Sequence, residues 1–166
     1  GSFPEVDQYF EQFSAAVDNA INSLIEIKGD LVIDRKIVFD QLIDAVRAIA
    51  TIESGGDPNA ISGTGRLGLM QLTPKVGIFL NEGEDASILF DPHYNIFRGT
   101  WYYTVLWMQS YEELGYPADL GIVDRLAAAR YYRGGANVAA DPATWSGEIN
   151  DYVEKFEAAK QASIPL

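Results

Sequence analysis

Apolar residues recur along this chain at steps of three and four, the spacing of a buried helix face. Residues 3–28 read as an amphipathic helix on Phe10, Phe13, Val17, Ile21, Leu24 and Ile25, with acidic residues between them. Gly29-Asp30 breaks it, and Asp34 is placed to cap a second helix. That helix carries Val38, Leu42, Val46 and Ile49 on one stripe, and the next step of the stripe is Glu53. Gly55 and Gly56 end it. Residues 54–66 hold too much Gly, Pro, Asn and Ser for regular structure. Asp91-Pro92 supplies a cap and a first-turn proline for a third long helix, with Ile96, Thr100, Tyr103, Trp107 and Ser110 along one side as far as Leu114. A loop over residues 115–121 leads to a helix over residues 123–132.

Composition narrows what such a chain does. Its 166 residues suffice for one domain with a proper core, and 48% hydrophobic content indicates a globular protein. With no cysteine, disulfides and thiolate metal sites are excluded, and one histidine leaves little for a histidine-based metal site or triad, so catalysis falls to carboxylates and hydroxyls. A net charge of −12 argues against nucleic acid as a partner. It also gives no long-range help in approaching an anionic polymer, which would have to be held by local contacts. No run approaches the roughly 20 apolar residues of a membrane span. Gly1-Ser2 has the look of a cloning remnant, with any export signal or anchor removed ahead of it.

Candidate chemistry centres on Glu53, a carboxylate where the pattern calls for an apolar side chain. Burial disfavours the charged form and raises the pKa toward the range in which a carboxyl donates a proton near neutrality. The alternative is a solvated glutamate in the last helical turn. The acidic loop of Glu82, Glu84 and Asp85 lacks the spacing of a calcium loop. His93 reads as a surface residue without metal partners, and no cofactor or metal is expected.

Residues 48–74, AIATIESGGDPNAISGTGRLGLMQLTP, reproduce without a gap the pattern E-S-G-x-x-P-x-A-x-S-x-x-G-x-x-G-L-M-Q-x-x-P of the soluble lytic transglycosylase family, relatives of goose-type lysozyme. Residues 89–102, LFDPHYNIFRGTWY, resemble its L-x-D-P-x-x-N-I-x-x-G-x-x-Y block, and residues 126–138, LAAARYYRGGANV, its L-A-A-Y-N-A-G-P-G-x-V block. Residues 148–156, EINDYVEKF, resemble the E-T-x-x-Y-V-x-x-V block that closes the domain, with Tyr152 and Val153 expected to pack. The resemblance spans residues 34–156. Departures are Gly56 for a bulky apolar residue, Thr73 for methionine, Tyr132 for asparagine, Arg133 for alanine and Gly135 for proline.

This resemblance implies a mainly α, lysozyme-like domain with at most a small β patch. Residues 1–33 would form an N-terminal packing helix, 34–160 the catalytic domain in one unit with it, and 161–166 a tail. It implies cleavage of the β-1,4 bond between N-acetylmuramic acid and N-acetylglucosamine in peptidoglycan, with Glu53 as acid and then base and a 1,6-anhydro product. Ser62, Gln71, Tyr131, Glu148 and Arg133 are the implied substrate-contacting residues. Tyr131 would orient the carboxyl of Glu53 or meet an N-acetyl group. Arg133 would pair with a peptide-stem carboxylate, or with Glu53 and lower its pKa. No Asp or Glu in the motif blocks is an evident second catalytic carboxylate, although Asp57 and Asp91 are spatial candidates. The alternatives are a goose-type lysozyme using water, or a non-catalytic peptidoglycan-binding module on the same fold. The implied setting is the periplasm or cell envelope, with glycan strands and an envelope-complex protein as partners; the first helix is itself a candidate partner-binding surface.

Overall fold

The computed structural model describes residues 3–78, 85–135 and 137–163. Glu82 and Glu84 lie outside these residues. Seven α-helices occupy the described chain: α1 (Pro4–Asp7), α2 (Phe10–Lys28), α3 (Arg35–Ser54), α4 (Pro74–Ile78), α5 (Pro92–Glu113), α6 (Leu120–Tyr132) and α7 (Gly147–Ser163), with 3-10 turns at Ser87–Phe90 and Pro142–Thr144. The only β pairing among the described residues is two isolated antiparallel bridges, Ile61 to Leu67 and Leu67 to Leu72. This is the mainly α architecture with a small β patch that the sequence implies. None of these helices is long and apolar enough to cross a membrane.

The first helix is shorter than its periodicity implies. It breaks at Gln8 and Tyr9 into α1 and α2. Tertiary contact overrides the local preference here: α1 turns away to bury Val6 and to lay Glu5 against Gly56 at the end of α3. Asp7 then meets Arg47 of α3, whose guanidinium also lies 5.0 Å from the Phe10 ring centre. From Phe13 to Leu24 the predicted stripe of α2 is buried against α3 and α5, and Ile25 is half-buried.

α3 forms as its sequence dictates. The Asp34 carboxylate accepts from the Lys36 and Ile37 amides, and Val38, Leu42, Val46 and Ile49 are wholly buried. Gly55, at φ 62°, closes the helix with its N–H on Thr51 O. The predicted side of α5 is likewise buried from Ile96 to Ser110, and Asp91 caps its start through the Tyr94 amide. α7 packs across α3 and α6. It is fastened from within by Asp124 of α6, which accepts from Trp107 Nε1 at 2.7 Å and pairs with Lys160 of α7. A wholly buried carboxylate needs such partners to be tolerated.

Between α3 and α5 the chain makes a tight turn over residues 68–71, pinned to the core by polar side chains. Asn95 of α5 is fully buried; its Oδ1 accepts from Met70 N at 2.8 Å, while its Nδ2 donates to Leu67 O and Leu89 O. Gly68, at φ +79°, is required, since a Cβ there would lie 2.2 Å from Leu89 O. Tyr131 of α6 donates to Met70 O at 2.5 Å, so the peptide groups on both sides of Met70 are fixed. Asn95→Ala strands one buried donor and two acceptors together, and is expected to cost about 3 kcal/mol or more. Urea unfolding of the purified variant measures this directly.

Candidate active site

Glu53 sits in the last turn of α3, where the buried stripe meets a surface cleft of about 420 Å³. The cleft is lined by Glu53, Ser62, Thr64, Arg66, Gln71, Tyr132 and Arg133. Only 13% of the Glu53 side chain is exposed. Burial raises its pKa from 4.5 to about 7, with the Arg66 charge and a hydrogen bond from Tyr152 pulling the other way. Neither partner is tight. Tyr152 Oη donates to Glu53 Oε2 at 3.4 Å, and Arg66 Nη1 lies 3.8 Å from the same oxygen.

Arg66 does not close on the carboxylate because it is committed elsewhere. Its Nη2 donates to the Tyr132 carbonyl at the end of α6, at 2.9 Å. The loop that carries it is built by its own side chains. Ser62 Oγ accepts from the amides of Thr64 and Arg66, Ser62 N bonds Arg66 O, and Gly68 N bonds Ala60 O. Ser62 thus performs turn chemistry while lining the cleft. Gln71 is not helical; it stands at φ 53°, and its buried amide nitrogen donates to Ala60 O and Gly68 O. Its Oε1 is the side-chain atom left for a ligand.

The opposite wall is aromatic. Tyr132 stacks on Tyr152 with ring centres 4.6 Å apart, and the Arg133 guanidinium lies 5.8 Å from the Tyr132 ring centre. Glu148 is exposed at the rim, 4.0 Å from Arg133 and 3.5 Å from Tyr132 Oη. The hydroxyl and the guanidinium beside Glu53 come from residues other than Tyr131 and Arg133. Tyr131 bonds Met70 O, and the hydroxyl that reaches Glu53 belongs to Tyr152, expected only to pack. The arginine beside Glu53 is Arg66, while Arg133 faces Glu148. Asp57 accepts from the Asn59 amide and Asp91 caps α5, so both candidate second carboxylates are engaged in local structure. Among the described residues Glu53 is the one carboxylate lining the cleft.

Arg66, Thr64, Tyr132 and Tyr152 were not assigned to the site from sequence. Arg66 occupies a free position of the motif, and its one signal was being the only cation in a loop of small and polar residues. The arrangement amounts to a carboxyl whose pKa is raised to about 7, with hydroxyl, amide and guanidinium groups around a cleft of about 420 Å³.

The family described as Transglycosylase SLT domain matches the chain over residues 39–144, well over half its length. Comparison with curated proteins finds no match.

A buried carboxyl of this kind weakens the fold at neutral pH. In the unfolded chain Glu53 releases its proton near 4.5, but in the folded protein it does so near 7. The folded state therefore binds more protons between those values, and its stability falls as pH rises through that window. Glu53→Gln removes the penalty. It is expected to stabilise the protein by about 3 kcal/mol at pH 8 and by almost nothing at pH 4.5, as thermal unfolding at the two pH values would record.

Proposed function

From a chain that belongs to the transglycosylase SLT domain family, we propose a peptidoglycan lytic transglycosylase that uses Glu53 as its single acid and base. The fold is of lytic transglycosylase type. The observation that carries the reading is the state of Glu53: a carboxyl mostly removed from water, still protonated close to pH 7 and facing the cleft.

In the proposed reaction Glu53 donates its proton to the glycosidic oxygen as the bond between N-acetylmuramic acid and N-acetylglucosamine breaks. The carboxylate so formed then takes the proton of the muramic C6 hydroxyl while that oxygen attacks C1, giving the 1,6-anhydro ring and returning Glu53 to its starting form. A glycosidase that delivers water, or forms a covalent intermediate on a second residue, needs two carboxyl groups flanking the bond. An attack from within the substrate, assisted by its N-acetyl group, needs one, in keeping with Glu53 being the one carboxylate that lines the cleft among the described residues. Arg66 and Tyr152 favour the ionised form of Glu53, which supports its second role as base. Ser62, Gln71, Arg133 and Glu148 are the proposed groove contacts, and Tyr131 acts by holding the turn that carries Gln71. The place of action follows from the substrate, the cell envelope.

Mass spectrometry of purified peptidoglycan after incubation tests this. Wild type is expected to release muropeptides with anhydro ends, and Glu53→Gln to release none. Products with reducing ends, heavier by one water, would mean a hydrolase instead. No products from wild type would mean a binding module. For the wild type, kcat/KM is expected to fall about tenfold per pH unit above the acid's pKa near 7, a limb that a pH series of initial rates would trace.

A further inference from the structure

The geometry points to a carboxylate-binding subsite beside Glu53, formed by the guanidinium groups of Arg66 and Arg133, that recognises a free carboxylate carried by the saccharide. It rests on the glycan-cleaving reading and adds which form of the glycan is preferred. The chain as a whole carries −12, yet among the described residues two arginines and one carboxyl line this cleft, with Glu148 at its rim. The Glu53 carboxyl is uncharged in the form that starts the reaction. Both arginines are oriented by one residue, Tyr132, which holds Arg66 by its carbonyl oxygen and Arg133 against its ring. The ring is in turn fixed by stacking on Tyr152. Tyr132 and Arg133 are two of the positions at which the chain departs from the family pattern, and they act together with Arg66.

Neither guanidinium is saturated by its present partner. Arg66 is anchored through Nη2, and the carboxylate nearest its Nη1 is 3.8 Å away, beyond hydrogen-bond reach. Arg133 and Glu148 are 4.0 Å apart with side chains 45% and 72% exposed, a surface pair that contributes little and that a ligand can displace at small cost. A guanidinium suits a carboxylate through paired N–H donors, and Arg66, only 24% exposed, offers its charge where water screens it weakly. Such a carboxylate has two sources. One is the lactyl group of muramic acid that bears no peptide, and the other is the free acid of an attached peptide stem.

The test is calorimetric titration of the Glu53→Gln protein, which keeps residue 53 neutral and stops turnover. Three probes are used: a disaccharide of N-acetylglucosamine and N-acetylmuramic acid with its lactyl acid free, the same disaccharide with that acid as a methylamide, and a disaccharide carrying a dipeptide with a free terminal carboxylate. At least one acid is expected to bind roughly tenfold tighter than the methylamide, a gap of about 1.4 kcal/mol that narrows as salt is raised. Whichever acid gains identifies the source. Adding Arg133→Gln, at an exposed position whose replacement leaves the fold intact, is expected to remove most of the gap. Equal affinity for acids and amide, no affinity for any probe, or a preference unaffected by Arg133→Gln and by Arg66→Gln would overturn the subsite. Anhydro-product release by the wild type, assayed separately, shows whether such a failure belongs to the subsite alone or to the reading beneath it.

Discussion

A carboxyl taken out of water beside an arginine that is prevented from reaching it sets the character of this protein. Were Arg66 free to form a bidentate pair with Glu53, the carboxyl would be ionised far below neutrality. Without Arg66, burial alone would hold the proton more tightly. The bond from Arg66 Nη2 to the Tyr132 carbonyl keeps the guanidinium at 3.8 Å, and the balance leaves the carboxyl titrating near 7. Every neighbouring element serves that separation. The stripe of α3 drives Glu53 inward, Gly55 stops the helix one residue after Ser54, and Asn95 and Tyr131 clamp the turn beyond the loop that bears Arg66.

Much of the scaffold was legible because it is local. Asp34 and Asp91 announce helix starts by chemistry that acts within three residues, and they cap as expected. The stripes of α3 and α5 name their buried faces because helical period alone fixes which residues share a side. Glu53 was legible by the same logic, as a breach of its stripe. What stayed hidden is long-range. Period cannot say that Tyr152 reaches across 99 positions to the carboxyl while Tyr131 reaches across 61 to Met70. Nor can it say which of two arginines arrives beside Glu53. The break between α1 and α2 belongs to the same class, since it depends on the partner α1 finds at Gly56.

Departures from the family pattern have structural counterparts. Gly56 lies at φ +88° under α1, and a Cβ there would strike Glu5 at 2.5 Å, so α1 fills the space of the missing side chain. Gly135, in place of proline, stands at φ +87°, a conformation proline cannot adopt, with the Tyr102 hydroxyl 2.7 Å from where a Cβ would be. Thr73 Oγ1 accepts from the Val76 amide at the start of α4. Tyr132 exchanges a short amide for a ring that stacks on Tyr152, while its backbone carbonyl restrains Arg66.

The most direct test of the central claim is to watch the Glu53 carboxyl itself titrate, by carbon-13 NMR of protein labelled at the glutamate side-chain carboxyl, with Glu53→Gln assigning the signal. A midpoint near 7 is expected, well above the ordinary glutamate value of 4.5. A midpoint near 4.5, the ordinary value for glutamate, would mean that Glu53 is solvated or fully paired, and the acid on which the proposed chemistry depends would not exist.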